Sequence, residues 1–194
     1  MDEKLLEVNE GQKLILEIGA NQKPQAGFVP GWETAKILTL DVDEKQKPDI
    51  LGDAADMPPE LYGKLDGLLA SHVLEHFSYW KTDKILEGWL RCLKDGGEIH
   101  ILVPSLEWAC REILSEQPSP AVYGQLYAGQ VNTWDVHLTG FTMRKLRALF
   151  EKAGVAVHTA RTGVYHIRVG SVGEFPAEQH YIAGVKGQPG LRGS

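Results

Sequence analysis

Cysteine is scarce: Cys92 and Cys110 are the only two in 194 residues, so one chain can build neither a disulfide framework nor a four-thiolate zinc site. Both read as buried apolar residues. Positive charge is also in deficit. The 20 Lys and Arg set against 26 Asp and Glu leave a formal net charge of -6. No polybasic run interrupts the acidic balance, so there is no electrostatic footprint for nucleic acid or for a membrane surface. No stretch approaches the roughly 20 apolar residues of a membrane span, and the acidic start MDEKLLEVNEG lacks an apolar core of signal-peptide length. A cytoplasmic location is expected. Also missing is a Gly-Lys-Ser/Thr phosphate loop, which removes P-loop ATP hydrolysis. What remains, at 43% apolar content, is one globular domain over residues 1–187 with a Gly-rich mobile tail, GQPGLRGS, over its last residues, 188–194 most of all.

Apolar runs of strand character lie at residues 14–18, 37–42, 65–70 and 98–103, separated by helical or loop segments. Alternation of this kind predicts a parallel α/β architecture. Ile85, Leu86, Trp89, Leu90 and Leu93 recur at helical spacing behind Thr82 as N-cap. Ser105 is placed to cap a helix to about residue 116, and Thr142 another through Ala153 that stops at Gly154. VAVHTAR and QHYIAGVKG add two strands, at 155–161 and 179–187. Between Asn21 and Lys36, Gly27, Pro30 and Gly31 disfavour a long helix, so a loop or short helix is expected. Residues 117–140 are rich in Gly, Pro and aromatics and fit no regular element; a segment this long reads as a binding loop or lid over the carboxyl edge of the sheet. Trp80 and Trp89 both read as core, whereas Tyr123, Tyr127, Trp134 and His137 divide between loop packing and acceptor contact.

The chemistry concentrates at two strand ends. LILEIGAN (Leu14 to Asn21) is a buried-strand run entering a glycine turn, and ILTLDVDE (Ile37 to Glu44) is a second run ending in an acid. Gly19 lets backbone approach a ligand that a Cβ would exclude, and Asp41, 22 residues later, can accept hydrogen bonds from two ribose hydroxyls.

With GDAADMP, DGLLASHVLEHF and LKDGGEIHILVPS following in order, the chain resembles the small class I S-adenosylmethionine-dependent methyltransferases, especially the type 11 group associated with glycan and polysaccharide synthesis. The likeness continues through Gly129, Gln130 and His137 to GFTMRKLRALFEKAGV. It implies a Rossmann-like, doubly wound, mostly parallel sheet with helices on both faces and an antiparallel C-terminal strand. It implies S-adenosylmethionine as cofactor and a small-molecule or glycan acceptor. By position, Glu17, Gly19, Ala20 and Asn21 border the methionine moiety, which a helix N-terminus would help to hold. Asp41 and Val42 face the ribose, Asp53 and Ala54 the adenine, and Ser71 and His72 flank the cofactor. His72 and His137 are the candidate bases, with Asp135 a possible orienter of His137. The first motif departs from the family pattern, because Asn21 and Lys23 stand where glycines are usual.

Three rivals follow from the same residues. A methyltransferase-like scaffold without turnover is the alternative suggested by Asn21 and Lys23. HVLEH (His72 to His76) matches the H-x-x-E-H pattern of inverted zinc peptidases, where two histidines on one helix face bind zinc and Glu75 activates water. That site needs a third protein ligand, so no metal is expected. A nicotinamide dehydrogenase wants a second glycine after Gly19, and residues 20–24 are Ala, Asn, Gln, Lys and Pro.

Overall fold

Strand β1 (Leu14–Ile18) is buried at every position because it runs down the middle of a sheet covered on both faces. The computed structural model describes residues 3–20 and 24–187, so the expectations for Asn21, for Lys23 and for the tail at 188–194 lie outside the described residues. Parallel to β1 run β2 (Lys36–Asp41) on one side and β4 (Leu65–Ser71) on the other, with β3 (Ile50–Leu51) beyond β2 and β5 (Leu93–Pro104) beyond β4. The last two strands, β6 (Val155–Val169) and β7 (Gly173–Lys186), form a hairpin whose β7 pairs antiparallel with β5. The order is β3-β2-β1-β4-β5-β7-β6: a seven-stranded, mostly parallel sheet with an antiparallel C-terminal pair, as the sequence predicts. The hairpin is longer than the expected strands because the pairing continues from Thr162 to Val169, where half-buried Tyr165, Ile167 and Val169 alternate with exposed residues.

Alternation along the strands splits the core. Leu14, Leu16 and Ile18 of β1 and Leu68 and Ala70 of β4 face α1 (Thr82–Cys92) and α4 (Met143–Lys152). Ile15 and Leu69 face the other way, where no α-helix lies between β1 and β2 among the described residues. A single 3-10 turn (Ala26–Phe28) and the fully buried Trp32 cover the sheet instead. Trp32 lies so close across β4 that a Cβ on Gly67 would sit 2.3 Å from its Cζ2. Its indole N–H donates to Glu98 Oε2 at 3.2 Å, and its ring lies 4.6 Å from that of His100. Farther along this face of the hairpin, Tyr165, Ile167 and Ala177 pack against α2 (Leu106–Ile113) and α3 (Ala121–Tyr127).

The caps are where local chemistry places them, with one exception. Ser105 Oγ accepts from Trp108 N–H at 3.1 Å and Thr142 Oγ1 from Lys145 N–H at 3.1 Å, while Gly154 ends α4 at φ 76°. Thr82 is not an N-cap: it is the first residue of α1, and its hydroxyl donates to Tyr79 O. Two burial expectations also fail. Trp80 is 77% exposed and stacks on Tyr79, because the turn before α1 carries it past the core that Trp89 fills. Cys110 sits on the exposed side of α2, while Cys92 is buried and its thiol pushed up to about 12 by that burial. Among the described residues, no helix is long and apolar enough to cross a membrane.

Candidate active site

The parallel register brings the strand ends together. Gly19 N–H donates to Leu40 O at 2.8 Å, Gly52 N–H to Asp41 O at 2.9 Å, and His72 N–H to Leu102 O at 2.9 Å. Gly19, Ala20, Asp41, Val42, Asp53, Ala54, Ser71 and His72 therefore share the carboxyl edge, at the point where the chain switches from β1 to both its neighbours. Gly19 must be glycine. Its φ is 68°, and a Cβ there would lie 2.6 Å from Val73 Cγ2.

The acids at this edge are spent unequally. Asp41 Oδ1 accepts from Asp43 N–H at 2.9 Å, and Oδ2 makes no hydrogen bond among the described residues, leaving an acceptor for a ribose hydroxyl. Asp53 is exposed and turns its Oδ1 back to Ala55 N–H at 2.8 Å. Ala54 is buried, and its carbonyl anchors the turn by accepting the Trp89 indole N–H at 2.8 Å. Glu17 is 1% exposed, and its carboxylate takes the backbone N–H groups of Gln25 and Ala26 at 2.6–2.9 Å. Burial raises its pKa, and those two N–H groups oppose the shift. The helix N-terminus expected to hold the methionine carboxylate is not built in the described chain after β1: its place is taken by a 3-10 turn whose leading N–H groups already serve Glu17.

Beyond β4 the pattern HVLEH does not form a shared helix face. His72 is in the left-handed region at φ 56°, and only Leu74–His76 make a 3-10 turn. The two histidines therefore do not stand one α-helical turn apart, which removes the zinc-peptidase arrangement. Glu75 is pulled inward instead, 1% exposed, and neither of its oxygens has a hydrogen bond. Its main-chain carbonyl accepts from Leu138 and Thr139 N–H at 2.8 and 3.0 Å, which ties the end of the 117–140 segment to this turn. That segment is not wholly irregular, contrary to the expectation from sequence, because Ala121 and Val122 bury an apolar face of α3 against the hairpin.

Three imidazoles surround the carboxylate. His72 Nδ1 is 3.3 Å from Glu75 Oε1, an ion-pair distance without hydrogen-bond alignment, and its Nε2 is 2.8 Å from Gln179 Oε1. Burial pulls the His72 pKa down, but the Glu75 carboxylate and Gln179 outweigh it and the net shift is upward. His137 Nε2 is 3.9 Å from the same oxygen, while its Nδ1 donates to Gln125 O at 3.0 Å; burial lowers its pKa against the pull of Glu75. His76 packs edge-on against His137 with ring centroids 4.8 Å apart. Asp135 does not orient His137. It folds back on its own loop, accepting from Val131 N–H at 3.2 Å.

The sequence brought His72 and His137 forward separately; the fold joins them through Glu75. Gln125, Tyr165 and Gln179 were missed. Tyr165 stacks on His72 at 4.9 Å and donates to Gln125 Oε1 at 2.7 Å. The alternation of TGVYHIRV beyond residue 161 is the signal that could have found it. A cavity of about 200 Å³ opens beside His137, lined also by Ser105, Gln125, Tyr127 and Thr139.

No sequence-family profile and no curated protein matches the chain. Solved structures do match. A SAM-dependent methyltransferase of Methanosarcina mazei superposes with a TM-score of 0.63 at 14% identity over 97% of this chain and 99% of its own. A SAM-dependent methyltransferase of Archaeoglobus fulgidus gives 0.56 at 16% over 91% and 87%. The 1,6-didemethyltoxoflavin-N1-methyltransferase of Burkholderia thailandensis, solved with its substrate and S-adenosylhomocysteine, gives 0.57 at 16% over 91% and 72%. At these identities the likeness establishes the methyltransferase Rossmann-like fold.

Proposed function

We propose that this protein transfers a methyl group from S-adenosylmethionine to an oxygen or nitrogen of a small molecule or glycan precursor. One observation carries the reading: the β3-β2-β1-β4-β5-β7-β6 sheet sets Gly19, without a Cβ, beside Asp41, with a carboxylate oxygen to spare, at the switch point where such sheets take nucleoside ligands. Bound there, the cofactor supplies an electrophilic sulfonium methyl. Asp41 holds the ribose, and the turn at Asp53 and Ala54, anchored by Trp89, borders the adenine. His72 is the base. The Glu75 carboxylate, 3.3 Å from Nδ1, and Gln179 Oε1, 2.8 Å from Nε2, both favour the protonated ring. The cavity beside His137 has room for a small acceptor, and Gln125, Tyr127 and Thr139 of the 117–140 segment line it.

A second reading, a methyltransferase-like scaffold, is favoured by Glu17, whose carboxylate occupies backbone N–H groups that a methionine carboxylate would otherwise claim. Calorimetric titration with S-adenosylmethionine and S-adenosylhomocysteine separates the two. Methyl transfer predicts micromolar binding, weakened about 10-fold or more in Asp41→Ala and absent with NAD. No heat with either sulfur cofactor favours the scaffold.

A further inference from the structure

We propose that Glu75, His76 and His137 form a binding site for a divalent transition-metal cation. One donor atom from each residue lies within 4.8 Å of the others. The inference stands on this turn alone, whether or not a methyl donor binds at the Gly19–Asp41 edge.

Glu75 is the first reason. A buried carboxylate without hydrogen bonds is costly, and a chain ordinarily avoids one by pairing it or coordinating a metal. The side chain has no easy route to water, because Leu138 and Thr139 are hydrogen-bonded across its main chain. His72 meets the carboxylate at Oε1 alone, at 3.3 Å and without a hydrogen bond, and Oε2 stays without a hydrogen-bond partner.

The tautomers of the two histidines are the second reason. His76 Nδ1 is 3.1 Å from Val136 O and His137 Nδ1 is 3.0 Å from Gln125 O. A backbone carbonyl only accepts, so each Nδ1 carries the proton and each neutral ring keeps its lone pair on Nε2. This is how proteins prepare imidazoles as metal ligands, with the outer nitrogen held by an oxygen acceptor. Lone pairs on His137 Nε2 and Glu75 Oε1, 3.9 Å apart, repel unless a cation stands between them.

Donor chemistry sets the class of ion. Two imidazoles and one carboxylate suit zinc, cobalt or ferrous iron, whereas magnesium and calcium prefer oxygen throughout. Donors bound tetrahedrally at zinc distances stand about 3.4 Å apart, so the widest pair must close by up to about 1.4 Å on loading. Three protein ligands leave a coordination position open, and the ion would tie residues 117–140 to the turn after β4.

The test is titration of chelator-stripped full-length protein, in a Cys110→Ser background to remove the exposed thiol, with zinc by calorimetry and with cobalt by visible absorption. One equivalent per chain is expected, with cobalt ligand-field bands. Glu75→Gln and His137→Gln should each weaken zinc binding by about 100-fold or more. His158→Ala and His166→Ala, which remove exposed rings of β6, should leave it unchanged. The melting temperature and circular dichroism of metal-free Glu75→Gln are measured beside its zinc affinity, so that binding lost in a folded variant is separated from lost folding. The proposal is overturned if the parent binds no stoichiometric zinc, or if both variants bind it as tightly as the parent.

Discussion

At the scale of single residues, the carboxyl edge is governed by how little room it leaves. Gly19 combines a left-handed backbone with a Val73 methyl lying where its Cβ would go. Gly19→Ala should therefore cost about 2 kcal/mol, more than the backbone effect alone. Urea denaturation of Gly19→Ala, with and without Val73→Ala, checks the cause. The Val73→Ala background should make the same glycine substitution cheaper, and equal costs in both backgrounds would remove the steric account. Gly19 and Asp41 were legible in the sequence because a glycine turn and a strand-end acid are local signals. The burial of Glu75 was not. An acid between Leu74 and His76 reads as solvent-facing, and only the tertiary position of residues 136–139 seals it from water. Glu17 shows the same limit: its place in the motif is visible, yet its partners lie at residues 25 and 26, in a turn the sequence leaves irregular.

At the scale of elements, one tryptophan does the work of a helix. Between β1 and β2 the chain covers an apolar sheet face with Trp32, whose indole also holds Glu98. Trp32→Ala should cost about 3–5 kcal/mol, whereas Trp80→Ala, on a ring 77% exposed, should lie within about 0.5 kcal/mol of the parent. Chemical denaturation of the two variants gives the comparison, and equal losses would refute this division of labour. The cap of α4 is a smaller and separable contribution. Thr142→Ala leaves Lys145 N–H without its acceptor and should cost about 1 kcal/mol. The strands at 14–18 and 98–103 and the helices behind Ser105 and Thr142 could be read ahead because apolar runs, caps and Gly154 all agree locally. Trp80 and Trp89 could not be told apart, since their spacing suits either face. The outer part of the hairpin carries a period-2 signal only from Tyr165, Ile167 and Val169, beyond the exposed run at residues 161–164 that interrupts the pattern.

At the scale of the whole molecule, stability is tied to pH through His100. The ring is 4% exposed, with Nδ1 2.7 Å from the Tyr181 hydroxyl. Burial, aided by nearby His158 and opposed by Glu98, lowers its pKa from 6.5 to about 4. Between those values the unfolded chain binds a proton that the folded chain refuses, so stability falls as pH drops from about 6.5 to about 4, by up to about 3 kcal/mol. In His100→Gln the slope of unfolding free energy over that window should flatten, while an unchanged slope would assign the loss to other groups. The sheet order has a different kind of consequence, one concerned with synthesis. The strand β7 lies between β5 and β6 but is made after both, so a ribosome that has delivered residues up to 172 has produced a sheet open at β5 and a β6 with nothing to pair with. Until β7 threads between them, the nascent chain displays an unpaired apolar edge through Ile99, Ile101 and Val103, the kind of edge that recruits other chains or a chaperone. Pairing of β7 with β5 thus sets the moment at which that edge stops being sticky.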